Sequence, residues 1–556
     1  MTNDKHKIIP ILCIGIAVLT LASCHPKQRE GGIPGEPDAE ASPEGPAAGS
    51  QLPMLVTGQW YRTATDGRHT AFVIIDEQSA DEAQGRYYTT ADGAWAMPHT
   101  FATTIGRYAV RTAVDGGKAE KTSRRHIAAH CAFEPYAAPP FTAISDMRYR
   151  KPLYGISVTH DIVYGHAEGY WTSILGYEDK SYAKVVAEGF SKSLSRRDLP
   201  LTLDLYRPEG TRNEHHPLIL FIHGGAFYVG DKQQNTIVDW CRHFASMGYV
   251  AASMNYRMGF LPSHDDIERA GYMAIQDAHA AMRFLVAHAE EYGINTDEIY
   301  AAGASAGSIT ALNLAFMREE DRPNASRGKS GLFKRDRHED LGTITGSGND
   351  IEADFHIRAI ANMWGAVGSL DILKNSPTSI VSFHGDADQL VPFDKGTPFS
   401  DIAEGMGRRL FGEMYGSASI DRKARELGLR SRFHAFAGEG HGFNVDKEGN
   451  LNAHHYFIRD SIASFFYREM VPVDAAIVGD RLTEGRYMLN DVATDSTCWK
   501  ADGGFIVRSE SDAVHILWRA DEAAHTISAT GTYTSGIGFF TEQKVEPLPT
   551  NPSNDE

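Results

Sequence analysis

Cysteine is scarce in this chain, with five among 556 residues, and that excludes a scaffold knit together by disulfides. Cys13 and Cys24 fall in a leader-like start. Cys131, Cys241 and Cys498 remain, so at most one disulfide can form, and a Cys131–Cys498 bridge and three free thiols both stay open. Positive charge is also in deficit: 54 basic against 72 acidic residues give a net charge of −18, which argues against nucleic acid or anionic lipid as partners. The apolar run at the start extends only from Ile8 to Ala22, short of the about 20 residues that a membrane-spanning helix needs. Residues 25–52 hold almost no large apolar side chains and are rich in Gly, Pro, Glu, Ala and Ser. Such a segment cannot bury enough surface to offset chain entropy and reads as a disordered tether. Hydrophobic residues make up 42% of the whole chain, enough for substantial cores, and the length favours three or four domains.

The most informative stretch is Gly303-Ala304-Ser305-Ala306-Gly307. It follows a strand-like run, Ile299 to Ala302, and opens a helical one, Ser308 to Leu314. A serine on so sharp a turn presents its hydroxyl above the sheet, and the flanking glycines are needed where a Cβ would clash. Upstream, the buried-strand run Leu218 to Ile222 leads into His223-Gly224-Gly225-Ala226-Phe227, a loop whose small side chains let backbone N–H groups approach a ligand. Downstream, the strand run Ser379 to His384 precedes Gly385-Asp386-Ala387-Asp388-Gln389-Leu390-Val391-Pro392. A last strand, Arg432 to Ala437, precedes Gly438-Glu439-Gly440-His441-Gly442-Phe443.

On these motifs, residues from about Val158 to Pro472 resemble the esterase/lipase branch of the α/β-hydrolases. They are most similar to bacterial carboxylesterases grouped with feruloyl and acetylxylan esterases. Asp204-Leu205-Tyr206-Arg207-Pro208, Gly230-Asp231, Asn255-Tyr256-Arg257 and the helical Gln276 to Leu285 add to the likeness. Ala226 stands where a third glycine is common, a departure that keeps the N–H. The order oxyanion loop, Ser305, Asp388, His441 is the α/β-hydrolase one and differs from that of trypsin-like and subtilisin-like proteases.

The resemblance implies acyl transfer. Ser305 attacks an ester carbonyl, His441 carries the proton, Asp388 orients the imidazole, and the N–H groups of Gly225, Ala226 and Ala306 cradle the oxyanion. It calls for no metal and no organic cofactor. Ser305 as a plain turn serine is the bland alternative, and Asp386 competes for the acid role. Among 24 histidines only His441 sits in a glycine-rich loop after the last strand, whereas His223 and His384 read as structural hydrogen-bonders. Trp364 and Phe443 line a substrate pocket or belong to the core. A short-acyl or aromatic ester, free or on a carbohydrate, is the expected substrate. A prolyl-oligopeptidase-type peptidase and a non-catalytic surface-binding lipoprotein are the alternatives, and the oligomeric state is left open.

Lys5-His6-Lys7, the apolar run and Leu21-Ala22-Ser23-Cys24 resemble the signal peptide and lipobox of bacterial lipoproteins. That implies removal of the leader, palmitate or another acyl chain on Cys24, and attachment to a membrane through this anchor only. His25 leans the address towards the outer membrane of a Gram-negative bacterium. The expected organisation is leader 1–24, tether 25–52, β-rich region 53–150, doubly wound α/β catalytic domain 151–472, β-rich region 473–545 and tail 546–556. In the β-rich regions short strands alternate with turn signals, as in Thr70 to Ile75 and Ala513 to Trp518, which argues a sandwich or small barrel. Both regions packing into one interrupted β-domain, or forming two separate ones, are the two arrangements considered, with a structural brace or a surface-binding role. Ala167 to Arg197 and Arg318 to Asp350 are long enough to serve as lids.

Overall fold

The computed structural model describes residues 56–546 apart from 65–68, 79–81, 106–108, 116, 119, 124–132, 145, 175–194, 212–214, 262, 330–337, 400–410 and 480–484. The expected leader, the tether and Cys24 lie outside the described residues, as do Cys131 and the middles of both candidate lids. The chain divides into two compact units, residues 147–472 and the two flanks together.

The central unit is built on an eight-stranded sheet. Its strands are β1 (Gly155–Gly169), β2 (Arg197–Glu209), β3 (His216–Ile222), β4 (Val250–Met254), β5 (Ile294–Ala304), β6 (Ile357–Met363), β7 (Ser379–Gly385) and β8 (Ser431–Phe436). In space they run β1-β2-β4-β3-β5-β6-β7-β8, and only β2 opposes the rest. Parallel strands need crossover connections, which the chain supplies with α1 (Asn235–Met247), α2 (His264–Ala287), α3 (Ala306–Phe316) and α4 (Ser417–Glu426), while α5 (Ala453–Met470) follows the last strand.

Every residue of β3 is buried, as a continuous apolar run predicts for a strand covered on both faces. Leu218, Leu220 and Ile222 join a core with Ala274, Ala278 and Ala281 of α2 and Ala311, Leu312 and Leu314 of α3. Phe221 points the other way and packs on Trp240 and Phe244 of α1, and Phe244 in turn meets Phe466 of α5. Helices α2 and α3 therefore cover one face and α1 and α5 the other. Helix α2 starts where Ser263 Oγ accepts the Asp266 N–H, with Asp265 and Asp266 in its first turn favouring the positive end of the helix dipole. Helix α1 stops at Gly248, whose φ of 108° suits a residue without a Cβ.

The flanking unit draws strands from both ends of the chain. Trp60–Ala64, Thr70–Gln78, Glu82–Thr89 and His99–Ile105 form the centre of a seven-stranded antiparallel sheet. Trp95–Ala96 pairs in parallel with Ala513–Arg519 of the C-terminal segment. A shared core joins Phe72, Tyr88 and Ala96 to Phe505 and Leu517, with Phe72 stacked on Phe505 at 4.4 Å. Cys498 is an exposed free thiol and Cys241 a buried one. Among the described residues no helix is long and apolar enough to cross a membrane.

Candidate active site

Strands β3, β5, β6, β7 and β8 all deliver their candidate residues at their carboxyl ends, where open α/β sheets place ligands. Ser305 follows β5 and precedes α3, with φ 56° and ψ −122°. A β-carbon on Gly303 would lie 2.3 Å from the Gly307 carbonyl, and one on Gly307 would lie 2.1 Å from the Ile222 oxygen. Both glycines are thus required for the turn to close and for α3 to meet β3. The Ser305 N–H donates to the Met363 carbonyl at the end of β6, which fixes the strained residue in place.

Ser305 Oγ lies 2.9 Å from His441 Nε2, and His441 Nδ1 lies 2.7 Å from Asp388 Oδ2. The structure thus brings together the three side chains expected from sequence. Asp388 has no exposed side-chain surface and His441 is 17% exposed. Burial alone would raise the Asp388 carboxyl. Hydrogen bonds from His384 and His441, the charge of His441 and the Val391 N–H outweigh it and hold the group well below the usual carboxylate range. Asp388 is therefore an anion and accepts the His441 Nδ1–H, leaving Nε2 bare to accept the Ser305 hydroxyl. Asp386, the rival acid, instead accepts the Gly438 N–H and staples two loops.

The loop after β3 lies against the nucleophile. A β-carbon on Gly224 would come 2.8 Å from the Ala304 oxygen, and one on Gly225 would come 1.8 Å from the Val229 oxygen. The left-handed backbone continues through Ala226 (φ 52°) and Phe227 (φ 58°), where side chains are disfavoured. Ala306 opens α3, so its N–H is one that a helix leaves unpaired. His223 is fully buried, stacks on Tyr256 at 4.5 Å and contacts the Gly224 carbonyl, while Tyr256 donates to the His223 carbonyl. Burial depresses its imidazole to about 4, so it is neutral and serves as packing beneath the loop.

Trp364 and Phe443 are both buried, with ring centroids 5.1 Å apart. Trp364 also meets the His441 ring edge-on at 6.2 Å, so it packs against the base as well as the core. Sequence reasoning missed Asn362 and Ser417, and it assigned His384 only a structural hydrogen bond. His384 Nε2 lies 3.1 Å from Asp388 Oδ2. The only sequence signal was the His384-Gly385 pair ahead of Asp388, which does not reveal which oxygen it meets. Among the described residues no group of three or more His, Cys, Asp or Glu side chains is arranged to hold a metal ion.

Comparison with known proteins gives a match to the BD-FAE family model over residues 203–379, which takes in the oxyanion-type loop and Ser305 and stops before Asp388 and His441. Gut esterase 1 of Caenorhabditis elegans is 28% identical over 189 residues, covering 32% of this chain and 30% of that protein. Acetylcholinesterase of Electrophorus electricus is 25% identical over 218 residues, covering 38% and 33%. The chain thus spans about a third of the length of these curated relatives. Among solved structures, Thermogutta terrifontis esterase 2 phosphorylated by paraoxon aligns with 49% of this chain and 90% of its own, at 21% identity and a TM-score of 0.33. A truncated form of a carbohydrate esterase from gut microbiota aligns over 59% and 99%, at 16% identity and a TM-score of 0.32.

Proposed function

We propose that this chain is a serine carboxylic-ester hydrolase working through an acyl-enzyme. The observation that carries the reading is the hydrogen-bonded series from Ser305 Oγ through His441 to Asp388. Ser305 attacks the ester carbonyl as His441 Nε2 takes its proton. The alcohol leaves with that proton, and water repeats the sequence to release the acid. Asp388 keeps the His441 proton on Nδ1 and stabilises the imidazolium. The N–H groups of Gly225, Ala226 and Ala306 receive the oxyanion, each donor contributing about 3 kcal/mol of transition-state stabilisation. The esterase-named relatives support the ester class. A short-acyl or aromatic ester, free or on a carbohydrate, is the substrate that the sequence resemblance favours.

The test is hydrolysis of p-nitrophenyl acetate by the full chain beside Ser305→Ala. Turnover in the first that is lost in the second supports the reading. Cleavage of aminoacyl-anilides in its place would make the enzyme a peptidase, and no labelling of Ser305 by a fluorophosphonate would make it a binder. Export and acylation at Cys24 are proposed on the leader sequence alone; a Cys24→Ala chain that still enters the membrane fraction would refute them.

A further inference from the structure

Asp388 is surrounded by more hydrogen-bonding machinery than a nucleophile, a base and an acid require. The Gly365 N–H donates to Asn362 Oδ1 at 2.9 Å. A backbone amide can only donate, so this contact settles which end of the Asn362 side chain is oxygen. Its Nδ2 then donates to Ser382 Oγ at 2.9 Å and to Ser417 Oγ at 3.0 Å. His384 Nε2 faces only acceptors, Asp388 Oδ2 at 3.1 Å and the Val391 carbonyl at 3.4 Å, and so carries the ring proton. That leaves Nδ1 to accept the Ser417 hydroxyl 2.8 Å away. Asn362, Ser417 and His384 are all fully buried, so water does not compete for these bonds.

We infer that His384 is a positioning residue for the catalytic acid, its tautomer held by the Gly365–Asn362–Ser417 relay. Asp388 Oδ2 takes N–H groups from two imidazoles, His384 and His441, while Oδ1 takes the amides of Leu390 and Val391 at 2.8 and 3.0 Å. Four donors match the about four acceptor positions of a carboxylate and pin its plane. His441 then meets a carboxylate that cannot rotate away or take a proton. The relay also closes on the nucleophile side, because Ser308 of α3 donates to Asn362 Oδ1 at 2.5 Å. One buried loop of hydrogen bonds therefore couples the helix behind Ser305 to the acid behind His441.

This inference rests on the esterase reading, and its test separates the two. His384→Leu, His384→Gln, Ser417→Ala and Ser382→Ala are compared in the full chain by kcat and KM on p-nitrophenyl acetate, and by the low-field proton resonance of the His441 Nδ1–H. His384→Leu is expected to lower kcat about 10- to 100-fold with KM nearly unchanged, as loss of alignment without loss of binding predicts. His384→Gln, which retains an N–H near the Nε2 position, restores most of that loss. Ser417→Ala lowers kcat less, and Ser382→Ala, which removes one acceptor of Asn362 Nδ2 but keeps its bond to Ser417, lowers it least. The low-field resonance shifts in His384→Leu and Ser417→Ala and returns in His384→Gln. Wild-type kcat and an unshifted resonance in His384→Leu would overturn the inference, as would equal losses in the Leu and Gln variants. If His384→Leu does not fold, an unchanged kcat and resonance in Ser417→Ala overturn it. If the wild type shows no esterase activity, the resonance alone decides.

Discussion

Single residues in this protein are held where their own preferences would not put them. Ser305 and Ala226 both sit at positive φ, a region that side-chain-bearing residues disfavour by about 1–2 kcal/mol. Removing the Ala226 β-carbon relieves that strain while keeping the N–H. Ala226→Gly is therefore expected to stabilise the central unit by up to about 1 kcal/mol, read as a raised thermal midpoint with esterase activity retained. Asp388 carries the opposite kind of constraint, an anion kept in a dry site by its donors. On its proposed role, Asp388→Asn lowers kcat about ten-thousandfold, because an amide favours the wrong His441 tautomer. Its folded carboxyl lies below the ordinary value of about 3.9. Its contribution to stability is thus complete above that pH and is lost as pH falls towards the folded value. Acid titration followed by circular dichroism should show Asp388→Asn losing less stability below pH 4 than the wild type.

At the scale of elements, the site depends on how closely α3 meets β3 and on how α2 is tied to the sheet. Gly307→Ala would drive a methyl group into the Ile222 and His223 carbonyls, at 2.1 and 2.5 Å, and backbone cannot step aside. The expected result is loss of activity with a lowered thermal midpoint, and wild-type turnover in this variant would contradict the geometry. Helix α2 is anchored by Asp277, fully buried, which takes the Arg257 backbone N–H at 2.7 Å and its guanidinium at 2.7–2.9 Å. Asp277→Ala leaves a buried cation without its partner and should cost about 3–5 kcal/mol in denaturant melts. The Asn255-Tyr256-Arg257 stretch picked out from the sequence therefore serves the site at second hand. Tyr256 supports the oxyanion-type loop, and Arg257 fixes the helix that packs beside α3.

At the scale of the whole molecule, buried histidines set the acid limit of stability. His223 is depressed from 6.5 to about 4 and His279 to about 3, both chiefly by burial. Between those values and 6.5 the unfolded chain binds protons that the folded one refuses. Stability therefore falls as pH drops below 6.5, by at most about 1.4 kcal/mol per pH unit for His223. Denaturant midpoints between pH 7 and 5 would check this, and His223→Phe should flatten the slope. The flanking unit gives a different kind of prediction. Phe72 and Tyr88 from one end of the chain complete their core with Phe505 and Leu517 from the other. Deleting residues 473–556 should leave 56–146 without native near-ultraviolet signal and open to proteolysis.

The sequence by itself determined the local order of this protein. Apolar runs became β3, β5 and β7, glycines marked the turn at Ser305, and the chain order of Ser305, Asp388 and His441 named the side chains that meet. These features were legible because each depends on neighbours in sequence, through side-chain period and φ preference. Tertiary structure alone decided what depends on distant pieces of chain. It brought His441 to Asp388, the acid that the resemblance already favoured, and left the rival Asp386 to take the Gly438 amide. It assembled Asn362, Ser417 and His384 from two strands and a helix start, which no local pattern relates. It also joined Trp95–Ala96 to Ala513–Arg519, because a strand's hydrogen bonds and buried face can be completed by any segment of matching register, however far along the chain.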